Sequence, residues 1–250
     1  MTDGRKLAAI ILAAGAGKRM HSDLPKVLHP IGGQPMLAHV IQQAKSSGAD
    51  RIVVIVGHKK ELTIPVVEQA GVEYAVQSEL LGTGHAAMMA EEKLSDYEGE
   101  ILVLSGDVPL LSEETIRNVA THHREKGVVA TVITANAPDP TGYGRVLRDA
   151  DGQVTAIREH KDCTDEERQI PEINSGIYLY DAKHLFPELH SLRNENAQGE
   201  YYLTDVFESY FKQKMPVSAW VADFDEIHGV NTPDDLAAAE QIWRQRQESA

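Results

Sequence analysis

The 250-residue chain is 42% hydrophobic and 25% charged, a balance that supports a packed core and excludes a disordered polymer. A formal net charge of −14 argues against nucleic acid or an anionic membrane as a partner, because both need an attractive positive face. The single cysteine, Cys163, cannot form an internal disulfide, and the apolar runs are too short to span a bilayer, so the expected address is cytoplasmic.

Residues 7–12 form the first buried-strand pattern. A helical stripe follows over 36–45, with Met36, Leu37, Val40, Ile41 and Ala44 on one face. Residues 51–56 read as a second strand, 61–70 as a helix, 73–76 as a short strand and 85–94 as a helix. Residues 101–104 give a fourth strand, and a helix begins after Ser112, which can cap it while Glu113 and Glu114 favour its dipole. This alternation specifies a mostly parallel sheet covered on both faces, with ligands bound beyond the carboxyl ends of the strands.

From residue 128 the rhythm changes. Strand patterns recur at 128–134, 145–148, 154–158 and 173–180, and helices return at 202–212 and after Thr232. The second half is expected to complete the sheet and to add a smaller antiparallel layer. No Pro/Gly/Ser-rich linker intervenes, so residues 1–127 and 128–250 read as lobes of a single domain.

The first strand runs into Leu12-Ala13-Ala14-Gly15-Ala16-Gly17-Lys18-Arg19-Met20, with Lys26 close behind. Glycines allow backbone N–H groups to approach phosphate oxygens, and Arg19 and Lys26 can neutralise their charge. Three basic residues against one acid give residues 15–30 a local charge of +2 in an acidic chain. Met20 occupies the third position of a dinucleotide fingerprint, and the Walker pattern is absent, so neither motif applies. Asp107 follows the fourth strand in Ser105-Gly106-Asp107, where it can serve as a magnesium ligand or simply as a turn aspartate. None of the 11 histidines has metal-ligand spacing.

The motifs LAAGAGKRM, SDLPKVLH, LLGTGHA, GDVPLL, TGYGR, IREHKD, EINSG, NAQGEYYLTD and GVN, in this order, resemble those of the bacterial N-acetylglucosamine-1-phosphate uridylyltransferases. The likeness runs from about residue 7 to 240. It implies an α/β, Rossmann-like nucleotidyltransferase fold with a nucleotide-binding lobe over 1–127, then a smaller antiparallel sugar-binding lobe and a C-terminal helix over 128–250. It also implies small-molecule substrates, UTP and N-acetylglucosamine 1-phosphate, and a magnesium cofactor.

By the same resemblance, Leu12, Ala13, Ala14 and Gly15 lie along the nucleotide, and Arg19 and Lys26 are catalytic. Gln77, Gly82 and Thr83 read the uracil and ribose. Gly144, Glu159, Asn174, Tyr202 and Thr204 form the sugar pocket, and Asp107 and Asn231 hold the metal. The sequence departs from the family habit at Lys18, where Thr is common, and at Ser105, where Tyr is frequent. No hexapeptide repeats follow the last helix, so no acetyltransferase domain is expected within these residues. Alternatives are transfer of uridylyl or thymidylyl to another sugar 1-phosphate, and a non-catalytic nucleotide-sugar-binding module.

Overall fold

The computed structural model describes residues 6–249, the side chains of Lys18 and Ser249 apart. The strands are β1 (Leu7–Ala13), β2 (Pro30–Ile31), β3 (Gln34–Pro35), β4 (Arg51–Val56), β5 (Glu73–Val76), β6 (Glu100–Ser105), β7 (Ala130–Asn136), β8 (Arg145–Arg148), β9 (Val154–Arg158), β10 (Glu172–Asp181) and β11 (Val217–Val221). The helices are α1 (Met36–Ser46), α2 (Lys60–Gln69), α3 (Thr83–Met88), α4 (Glu91–Leu94), α5 (Glu113–Lys126), α6 (Ala182–Leu189), α7 (Asp205–Lys212), α8 (Phe224–Ile227) and α9 (Pro233–Ser249).

One sheet runs through both halves of the chain in the order β11-β7-β10-β6-β1-β4-β5, with β8 and β9 branching from β10. β1 pairs in parallel with β4 and β6, and β5 with β4. β10 runs antiparallel to both β6 and β7, and so against the general direction. The two-residue strands β2 and β3 form a separate hairpin.

Strand period explains why β1, β4 and β6 are almost wholly apolar. Ala8 and Ile10 face one core with Val53, Ile55, Ile101 and Val103. Ala9 and Ile11 face the other with Val54, Leu102 and Leu104. Successive side chains point to opposite faces, so strands covered on both sides carry polar residues only at their ends, as Arg51, Glu100 and Ser105 do here. The stripe of α1 (Leu37, Val40, Ile41, Ala44) and Ile116 and Val119 of α5 close one face. Leu185 and Phe186 of α6 and Val206, Phe207 and Tyr210 of α7 close the other. Ser112 caps α5 as its sequence suggests, its hydroxyl accepting from the Thr115 N–H at 3.0 Å.

The architecture is the expected Rossmann-like one, a mixed sheet flanked by helices, with differences in detail. The helix anticipated over 85–94 starts at Thr83 and is interrupted after Met88. There the Met89 and Ala90 N–H groups bond three residues back, to Ala86 and Ala87 carbonyls, and tighten the turn. The helix anticipated from 202 starts at Asp205, and α6 and β11 are additional. Among the described residues, no helix is long and apolar enough to cross a membrane.

Candidate active site

The carboxyl ends of β1, β5 and β6 open on one cleft of about 380 Å³. Its walls include Leu12, Ala13, Ala14 and Gly15 from the loop after β1, and Gln77 directly after β5. Gly82 and Thr83 at the start of α3, with Lys26 and Asp107, complete this set. Residues separated by up to 95 positions therefore meet because parallel strands deliver their following loops to the same edge.

Within this lining, Lys26 Nζ pairs with Asp107 Oδ2, and it also donates to Asn231 Oδ1 at 2.9 Å. Arg19 donates from Nη2 to the same Asn231 oxygen, also at 2.9 Å. Asn231 is oriented by its own donation to the Gly229 carbonyl and by its backbone N–H bond to Asp235. The Val230 N–H donates to the Asp107 backbone carbonyl, so the two loops are clamped backbone to backbone. Two cations and two oxygen donors are thus gathered in and beside the cleft, from three chain segments. The Lys18 side chain lies outside the described residues.

Asp107 Oδ2 and Asn231 Oδ1 both approach one lysine nitrogen, so two hard oxygen donors already converge on a positive charge. Magnesium takes oxygen ligands and commonly keeps only one or two from the protein, the rest being phosphates and water. The donor set fits such an ion. Among the described residues, no group of three or more His, Cys, Asp or Glu is arranged to hold a metal.

The residues expected around the sugar fall into two groups. Gly144 accepts at its carbonyl from the Asn174 N–H, and the Asn174 amide donates to the Tyr178 hydroxyl at 2.8 Å. Glu159 accepts from the Thr204 hydroxyl at 3.3 Å. Burial pushes the Glu159 carboxyl above the ordinary carboxylate range, the Thr204 hydrogen bond opposes this, and Asp205, Asp162 and Glu200 add to it. Tyr202 is buried, its hydroxyl accepting from Gln198 at 2.8 Å, and burial pushes it up to about 12. Glu159 and Tyr202 line a second recess of about 300 Å³ with Asp162 and Asn196, apart from the cleft that holds Lys26.

Three residues were not singled out by sequence reasoning, and a fourth, Ser105, was marked only as a departure from the family habit. Tyr178 bridges the groups, hydrogen-bonded to Asn174 and raised by burial and by the nearby Glu159 charge. Tyr143, within the TGYGR motif, is pushed up to about 12 by burial and by the Asp235 and Asp107 carboxylates. Glu200 lines the cleft that holds Lys26. Ser105 lines it as well and donates to the Gly176 carbonyl. The first three lie inside or beside motifs already quoted, but strand and helix patterns carry no sign of which neighbour turns inward.

A Rossmann-like sheet with cationic and acidic groups at its carboxyl edge defines a phosphate-handling nucleotide enzyme class. The model of the nucleotidyl transferase family matches residues 8–245, and the chain belongs to that family. It is 51% identical over 239 residues to the "Bifunctional protein GlmU" of Streptococcus suis, covering 95% of this chain and 52% of that protein. The protein of the same name from Streptococcus mutans is 48% identical, with the same coverage. The chain spans about half the length of the curated relatives it matches. A UDP-glucose pyrophosphorylase solved with UDP-glucose is 15% identical and superposes with a TM-score of 0.74 over 97% of this chain and 99% of that one, a likeness of fold.

Proposed function

We propose that the chain transfers a uridylyl group from UTP to N-acetylglucosamine 1-phosphate and releases pyrophosphate. The observation that carries the reading is the meeting of Arg19, Lys26, Asp107 and Asn231 in and beside the nucleotide cleft. A phosphate oxygen of the sugar 1-phosphate attacks the α-phosphorus of UTP. The new P–O bond forms as the bond to the β-phosphate oxygen breaks, and pyrophosphate carries the electron pair away. That nucleophile is already anionic at neutral pH, so no general base is demanded.

Alignment and charge neutralisation remain to be supplied. The loop at residues 12–15 and the wall at Gln77, Gly82 and Thr83 hold the nucleotide. Arg19 and Lys26 offset the charge gathering on the departing phosphates, and Asp107 with Asn231 would hold magnesium. That ion would supply further neutralisation of the phosphate oxygens. The sugar assignment is supported by EINSG, NAQGEYYLTD and LLGTGHA and by the identity to GlmU proteins, with Gly144, Glu159, Asn174, Tyr202 and Thr204 as its pocket. A cytoplasmic setting belongs to the same proposal, and the free, buried Cys163 is compatible with it.

Pyrophosphate release, measured with UTP and magnesium across a panel of sugar 1-phosphates, tests the reading. N-acetylglucosamine 1-phosphate should give the highest kcat/KM. Equal or better turnover with glucose 1-phosphate overturns the sugar assignment, and the absence of release with every sugar 1-phosphate and nucleotide tested overturns the reaction.

A further inference from the structure

The side-chain amide of Gln77 is held on two sides. The residue follows β5, its backbone N–H donates to the Val56 carbonyl, and its side chain is buried in the cleft wall. Nε2 lies 3.1 Å from the Gly82 carbonyl oxygen and 3.0 Å from Nδ1 of His85. A carbonyl can only accept, so the amide atom facing Gly82 must be the nitrogen; the flipped amide would oppose two oxygens. The second amide proton then belongs to His85 Nδ1. That ring nitrogen is therefore an acceptor, and the ring carries its proton on Nε2. Tyr201 helps to hold the ring, its centroid 6.5 Å away, and is itself bonded through its N–H to the Leu81 carbonyl.

With both amide protons committed, Oε1 is the polar atom of Gln77 left for a ligand. We infer that His85 is a positioning residue that selects the nucleobase through Gln77. It fixes the amide so that an acceptor is offered to the base. A uracil-type edge presents a ring N–H between two carbonyls and can donate to it. A cytosine-type edge presents a ring-nitrogen lone pair at that place and is repelled. This deepens the uridylyl reading above and rests on it.

The experiment compares kcat/KM for UTP and CTP in the parent, His85→Leu and His85→Asn. Leucine fills the space without accepting. Asparagine restores an acceptor oxygen near the place of Nδ1. His85→Leu should lower the UTP:CTP ratio about tenfold, the scale of one hydrogen bond, through the KM for UTP rather than through kcat. His85→Asn should keep the ratio near the parent's.

A ratio unmoved in a folded His85→Leu protein, or lost equally in both variants, overturns the inference while leaving the uridylyl reading intact. A parent that does not prefer UTP overturns the uridylyl reading itself, and the inference with it. Nitrogen chemical shifts of His85 in the parent provide a check that needs no variant: a proton on Nε2 is expected, and a proton on Nδ1 in the neutral ring refutes the geometry.

Discussion

Lys26 is neutralised at rest by Asp107, and the pair is only partly exposed. Opposite charges held away from bulk water interact strongly, so losing one partner leaves the other poorly compensated. Asp107→Asn keeps the size and one oxygen but removes the charge that a magnesium site would need. Pyrophosphate release should fall by about 10²–10³-fold, the usual scale for one electrostatic contact at a reacting phosphate. The far-ultraviolet spectrum should not change. Near-normal release at the same magnesium concentration would remove Asp107 from the proposed role.

Glu159 poses the opposite problem, because burial raises its carboxyl above its unfolded value. Both states are protonated at low pH, so no penalty exists there. As pH rises through the unfolded value, the unfolded chain loses its proton first, and stability declines until the folded group has also ionised. Glu159→Gln should therefore raise the melting midpoint at pH 7 and leave it little changed near or below about pH 4, where the parent carboxyl is protonated. A variant equally destabilised at both pH values would mean that the Thr204 contact, not the buried charge, dominates.

At the scale of elements, the strands that position the loop at residues 12–15 were legible because burial on both faces leaves an unbroken apolar run. Elements whose stability comes from tertiary contact were not. Pro187 sits inside α6 and masks it as a breaker, although Asp181 caps the helix by accepting from the Lys183 N–H. β11 lies at the sheet edge, where Val217 is buried but Val221 is exposed, so neither alternation nor a continuous run appears. β10 was legible as a strand, yet nothing local marks it for insertion between β6 and β7 against their direction. Similarly, the motifs indicated Gln77 but not its bond to His85, which depends on the turn into α3.

The irregularity in β10 matters more than its direction. Its pairing with β7 shifts register between Asn174 and Tyr178, a bulge that lets Asn174 bond both the Gly176 N–H and the Tyr178 hydroxyl. Gly176 adopts φ +77°, and a Cβ there would come within 2.9 Å of Ser105 Oγ. Gly176→Ala meets both strain and crowding. Its expected cost is about 1–3 kcal/mol, or several degrees of melting midpoint at roughly 2–4 °C per kcal/mol. The KM for the sugar phosphate should rise as Asn174 is displaced. An unshifted midpoint would mean that the bulge relaxes without cost.

Across the whole molecule, the site is held together by contacts between distant parts of the chain. Tyr201 and Leu203 are stitched to residues 81–84 by three hydrogen bonds, joining one wall of the cleft to the segment that leads into α7. At the other side, α9 packs over a small core of Met20, Ile31, Met36, Leu110 and Val230. Trp243 lies directly against Gly32 in the turn between β2 and β3, where a Cβ would fall 2.4 Å from the indole ring. Glu240 accepts from the Gly32 N–H at 2.7 Å.

The helix thus braces the same stretch, residues 18–35, that carries Arg19 and Lys26, while the loop just before it carries Asn231. Trp243→Ala removes part of that brace without touching a proposed substrate group. Loss of a partly buried indole should cost about 2 kcal/mol, less than the 3–5 kcal/mol of a fully buried one, and lower the midpoint by roughly 4–8 °C. If the brace also sets the cation geometry, kcat should fall by about tenfold or more at temperatures where the protein is fully folded, because small misplacements of aligning groups are costly. Thermal melting and saturating pyrophosphate-release assays on the same sample separate the two effects. A lowered midpoint with an unaltered kcat would confine α9 to stability, whereas a fall in both ties the C-terminal helix to the alignment of Arg19, Lys26 and Asn231.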